Sequence, residues 1–202
     1  MLYRNPFYYS GKYMSLKLDL LDLKIVSELQ LDSRISITEL SKRVGSSRPT
    51  VTGRLRRLRD EEIVLINGGL NVNKFGFKIV CVGLEVKSDE SRSKVEGYLK
   101  ACPRVLNIFR TTEKANIHVS AWGENDQTLN STIESFRDFP DVEVIYTHYL
   151  GAPIHGNVTV PITINLEDET PCAKDCKECY RYINDRCLGC PSTAYYKNPL
   201  IK

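Results

Sequence analysis

No apolar run in this 202-residue sequence comes near the roughly 20 residues that span a bilayer; the longest are short stretches such as Ile79 to Leu84. No charged-then-apolar leader pattern opens it, so the cytoplasm is the expected location. A phosphate-binding glycine loop, a nucleophile elbow and any paired acid–base motif are also missing, which argues against an enzyme. Histidine is scarce. His118 and His148 fall on expected strands and His155 in a loop, and each reads as structural rather than as a metal ligand. The single tryptophan, Trp122, reads as core or subunit interface. A net charge of +3 says little about partners, whereas 42% hydrophobic and 26% charged residues suit a folded chain with one large or two small domains.

A local absence is more telling. From Lys42 to Arg59, "KRVGSSRPTVTGRLRRLR", there are seven Lys or Arg and neither Asp nor Glu, the footprint of a phosphate-contacting surface. The run lies in a helical context. Leu18, Leu21, Ile25, Val26 and Leu29 recur at helical spacing. Ser36 with Glu39 predicts a capping box at the start of a short second helix that Gly45 ends, and Ser47 with Pro49 opens a third. Val51, Leu55 and Leu58 share one face of that third helix, leaving Pro49, Thr50, Gly53 and Arg57 on the other. "IVLINGGLNV", residues 63–72, predicts a hairpin about Asn67-Gly68-Gly69. Three helices and a hairpin make a winged helix-turn-helix, whose second motif helix enters the DNA major groove. Ser47, Arg48, Thr50, Gly53, Arg54 and Arg57 are the expected DNA face. Arg48 and Thr50 are expected to read bases, Gly53 to allow close approach, and Arg54 and Arg57 to hold phosphates, with pairing to a helix acid as the alternative for Arg54.

Residues 77–149 follow another rhythm. "FKIVCVGLEVK", "RVLNIFRTT", "NIHVSAWG" and "DVEVIYTHY" read as strands and "DESRSKVEGYLKAC" and "DQTLNSTIESFRDF" as helices, giving β-α-β-β-α-β. That order is ferredoxin-like, so the expected class is α+β. In the first strand both alternating sets are largely apolar, Val80, Val82, Leu84 and Val86 against Ile79, Cys81 and Gly83, so the face the helices leave open is expected to meet a second subunit. The expected division is an aromatic arm at 1–13, a DNA-binding domain at 14–73, a dimerisation domain at 74–168 with an extra strand over 158–166, and a tail at 169–202. The arm is either a true extension or the product of a start placed before Met14.

Five of the seven cysteines, Cys172, Cys176, Cys179, Cys187 and Cys190, fall within nineteen positions at C-x3-C-x2-C-x7-C-x2-C. The tail has few apolar groups of its own, so it needs a staple or a metal to order itself. Tetrahedral zinc on the two C-x-x-C pairs is the expected cofactor, with an iron–sulfur cluster, copper or disulfides as alternatives, because five thiols are one too many for one zinc. Cys81 and Cys102 read as ordinary core residues.

"LDLLDLKIVSELQLDSRISITELSKRVGSSRPTVTGRLRRLRDEEIV" and the following "NVNKFGFKIV" resemble the Lrp/AsnC family of transcription regulators, and the likeness runs from about Leu18 to Leu150. It implies a homodimer or higher even oligomer that binds pseudo-palindromic double-stranded DNA. Amino-acid-binding members usually carry a loop resembling T-G-x-x-D between the second and third strands. Here "TTEKAN", residues 111–116, lacks both the glycine and the acid, so an amino-acid effector would lose its close backbone approach and its ammonium partner. The tail lies outside the ordinary family architecture.

Overall fold

A computed structural model describes residues 17–163 and 169–201. Among these the chain forms two compact units, one ending at Asn67 and one beginning at Gly68. The arm before Met14 and the last residues of the expected strand over 158–166 lie outside the described residues.

The first unit is three helices, α1 (Leu20–Leu31), α2 (Ile37–Val44) and α3 (Arg48–Asp60). A reciprocal capping box opens α1: Asp19 accepts from the Asp22 backbone N–H, and Asp22 accepts from that of Asp19. The box expected at α2 is only half formed. Ser36 Oγ accepts from the Glu39 N–H at 3.2 Å, while the Glu39 carboxylate turns to Arg43 at 3.0 Å, one helical turn on. Gly45 ends α2 in the left-handed conformation, and Ser47 caps α3. Ile25, Leu29, Leu40, Val44, Val51, Leu55 and Leu58 form the core, one buried face from each helix.

The expected hairpin does not form. Residues 63–67 are irregular, and β1 (Leu70–Asn71) pairs antiparallel with β6 (Thr159–Val160). The distant pairing is favoured because Val160 is completely buried beside Val72, Phe77, Ile79 and Trp122, whereas Leu65, on the arm that a hairpin would need, is exposed. Residues 68–73 thus belong with the second unit.

That unit continues through α4 (Val72–Phe75), β2 (Lys78–Val86), α5 (Asp89–Ala101), β3 (Val105–Arg110), β4 (Ile117–Gly123), α6 (Asp126–Arg137) and β5 (Val142–Leu150). The four long strands form an antiparallel sheet in the order β3-β4-β2-β5. Val80, Val82, Leu84, Val86, Ile117, Val119 and Ala121 point to one face and pack against Val95, Tyr98 and Leu99 of α5 and Leu129, Ile133 and Phe136 of α6. The opposite face carries Cys81, Gly83, Phe109, His118, Tyr146 and His148. Tyr146 lies flat over its cross-strand partner Gly83, where a Cβ would meet the ring at 2.2 Å. Residues 169–201 carry one short helix, α7 (Tyr180–Ile183). Among the described residues no helix is long and apolar enough to cross a membrane.

Candidate functional site

The acid-free run places its charges on two sides of α3. Arg54 lies 2.6 Å from Asp19 and 3.2 Å from Asp22, and Arg57 lies 2.6 Å from Asp22. Asp22 is fully buried, so these two guanidinium groups are what keep its charge compensated. The Asp22 backbone N–H and then Arg54 hold the Asp19 carboxyl below its ordinary range. This corrects the sequence reading: Arg57, expected to hold phosphate, is engaged inside the unit, and Arg54 takes its alternative role as partner of helix acids. Ser47 and Thr50 are likewise partly occupied by each other, their hydroxyls 2.8 Å apart across the cap.

What remains outward is Arg48, Thr52, Gly53, Arg56 and Arg59, all exposed, and among the described residues none of the three arginines has a carboxylate partner. An added Cβ at Gly53 would meet nothing within 4 Å. Thr52, Arg56 and Arg59 were missed by the sequence reading as members of this face. For Thr52 and Arg56 the signal was present in the helical wheel, since they lie across from Leu58 and away from the side that Asp19 and Asp22 claim; for Arg59 it was present only in the basic run.

The second locus is in the sheet unit. Cys102, Cys172, Cys176, Cys179, Cys187 and Cys190 all line one cavity of about 60 Å³. Five are the tail cysteines; the sixth, Cys102, ends α5 and was read as ordinary core. Its distance along the chain gave no sign of the association. The tail does not order itself alone, because the sheet unit supplies its anchors. Arg181 binds Glu134 at 3.0 Å and Asp138 at 2.9 Å, Arg186 binds Glu134 at 2.7 Å, and Ser131 donates to the Arg186 carbonyl at 2.7 Å. From the other side, buried Arg104 pairs with Glu124 and donates to the Gly189 carbonyl at 2.7 Å, while the Tyr196 hydroxyl also reaches Glu124.

Burial pushes the Cys102 thiol up to about 11. Burial, then the neighbouring thiols Cys172 and Cys187, pushes Cys176 up to about 11. Cys187 is also raised by burial, although Arg104 pulls the other way. A four-thiolate zinc site needs sulfurs about 3.8 Å apart, the edge of a tetrahedron with 2.3 Å bonds. Among the described residues no three His, Cys, Asp or Glu side chains converge in that manner.

A three-helix unit with an exposed basic helix, joined to a ferredoxin-like sheet, defines a helix-turn-helix regulator with an α+β second unit. Residues 18–59 match the AsnC-type helix-turn-helix domain. Over 137 residues the chain is 32% identical to the leucine-responsive regulatory protein of Rhizobium meliloti, covering 65% of this chain and 82% of that one. Over 121 residues it is 42% identical to the proline dehydrogenase transcriptional activator of Rhizobium radiobacter, covering 59% and 75%. The structure of LrpC from B. subtilis superposes with a TM-score of 0.60 at 25% identity, over 69% of this chain and 99% of that one. The chain belongs to the Lrp/AsnC family of transcription regulators.

Proposed function

We propose that the chain is a sequence-specific regulator that binds double-stranded DNA as a homodimer, with α3 in the major groove and the cysteine tail as a metal site that stabilises the second unit. The observation that carries the DNA reading is the outward face of α3. Three exposed arginines without carboxylate partners among the described residues flank a helical glycine with open space in front of it. Glycine inside an exposed helix costs about 1 kcal/mol relative to alanine. Nothing in the unit packs against Gly53, so the close neighbour that justifies it is external. Arg48, at the first turn, is the base reader, and Arg56 and Arg59 hold phosphates. Thr50, tied to Ser47, reads through its methyl group.

Family relatives regulate transcription, which supports this assignment. An amino-acid effector draws no support from the loop at 111–116. Its two ends are bonded within the unit: the Thr111 N–H donates to the Asn116 carbonyl at 3.1 Å, and the Asn116 side chain bonds both backbone groups of Val86.

The experiment is a binding titration against salt with operator fragments selected from random duplexes. Arg56→Ala is expected to weaken binding to all sequences and reduce the salt slope by about one charge, and Arg48→Ala to relax base preference. Gly53→Ala is expected to stabilise the folded unit by up to about 1 kcal/mol yet weaken operator binding. Retention of full affinity by all three variants would remove α3 from the groove.

A further inference from the structure

We infer that Thr52 is a specificity-determining residue of α3, which selects thymine at one position of each operator half-site by matching the methyl group and the carbonyl that this base shows in the major groove. The inference rests on the reading of α3 in the groove, and adds to it the base that is chosen and the side chain that chooses it.

Thr52 stands between Arg48 and Arg56, about one helical turn from each, on the exposed side of α3. Its hydroxyl is free. Among the described residues nothing bonds it, whereas the Thr50 hydroxyl is held by Ser47 at 2.8 Å. The next residue is Gly53, where even an added Cβ would meet nothing within 4 Å, so a partner can come closest to the helix backbone at this point. A short side chain beside that point touches whatever lies against the backbone. The arginines reach further and can serve a phosphate or a base edge from the same backbone position. Thr52, with a β-branched stem that is stiff at χ1, can contact only the base pair set directly against it.

The chemistry of the side chain then picks the base. Threonine carries an apolar methyl and a hydroxyl on one carbon. In the major groove thymine alone presents an apolar group, the C5 methyl, next to an acceptor, O4. The Thr52 methyl can pack on the C5 methyl while its hydroxyl donates to O4. Guanine offers two acceptors, adenine an acceptor and a donor, and cytosine a donor, so against each of them the threonine methyl would cover a polar edge without bonding it.

The test is a cycle of base and side-chain changes on operator fragments selected from random duplexes. Each thymine of one half-site is replaced in turn by deoxyuridine, which removes the C5 methyl and leaves base pairing intact. At one of these thymines the wild type should lose about fourfold in affinity, the worth of one buried methyl. Thr52→Ser, which lacks the side-chain methyl, should bind the unmodified operator about fourfold less well and be indifferent to deoxyuridine at that position. Thr52→Val, which loses the hydroxyl and keeps a methyl, should remain sensitive to it. Circular dichroism of each variant reports whether α3 is folded. Equal sensitivity of the wild type and a folded Thr52→Ser protein at every thymine would overturn the inference, as would selection of the same operators, ranked alike, by both variants. Failure here is separable from failure of the α3 reading. If Arg56→Ala reduces the salt slope while both Thr52 variants keep the wild-type base preference, α3 lies in the groove and Thr52 does not choose thymine. If the Arg48, Gly53 and Arg56 variants all keep full affinity, the α3 reading falls and takes this inference with it.

Discussion

Asp22 has no access to solvent, and its neighbours satisfy its carboxylate oxygens. Its carboxylate accepts from Arg54, from Arg57 and from the Asp19 backbone N–H, so it both closes the cap of α1 and ties α1 to α3. Removing one partner of a buried pair leaves the others uncompensated, at a cost of roughly 3–5 kcal/mol when both are buried. Here the arginines are a third exposed and can turn to water, which lowers the expectation to about 2 kcal/mol. Asp22→Ala should therefore lower the unfolding midpoint of the helical unit in urea while leaving the sheet unit unchanged. A variant as stable as the wild type would show that the arginines gain nothing from α1. The acid-free stretch was legible in the sequence as a basic surface. The division of its charges was not, because the acids that claim two of them stand on another helix.

At the scale of elements, local periodicity made the three helices and the β-α-β-β-α-β order readable, since each strand or helix declares itself within about ten residues. Long-range partners declared nothing. The pairing of β1 with β6 displaced a plausible local hairpin, and Arg104 meets the Gly189 carbonyl 85 residues away. The docking of the tail on α6 belongs to this second class, and Arg181 is its centre. Its guanidinium is nearly buried and binds both Glu134 and Asp138, so Arg181→Ala should loosen the tail and speed its cleavage by trypsin about tenfold, against an unchanged rate in the helical unit. Equal cleavage rates would mean that the cysteine cavity alone fixes the tail. The pH dependence has a definite sign. Burial pushes the Glu134 carboxyl up, but Arg181 and Arg186 outweigh it and hold the group below its ordinary 4.5. The contribution of Glu134 is thus complete above that value and is lost as pH falls through the lowered one, so acid, not base, should release this anchor.

At the scale of the whole molecule, the sheet has one face covered by α5 and α6 and another that, among the described residues, is covered only where Ile79 and Trp122 pack against Val72, Phe77 and Val160. On the open face Tyr146 stacks on His148 at 4.8 Å and its hydroxyl meets His118 Nδ1 at 2.8 Å, while Phe109 beside His118 is 56% exposed. Such a contiguous aromatic surface on an antiparallel sheet suits a second copy of the same face, because a two-fold pair presents identical patches to each other. Phe109→Asp is the informative change. In an isolated chain the new carboxylate meets water and costs little; in a paired sheet it is buried without a partner, which opposes association strongly. Light scattering at micromolar concentration should find the wild type at least dimeric and the variant monomeric with unchanged circular dichroism. Operator affinity should then fall by about a hundredfold or more, since each chain keeps its helical unit but loses the linked contacts of the second half-site. A wild type that is monomeric, or a Phe109→Asp protein that remains dimeric with full operator affinity, would place the subunit contact elsewhere.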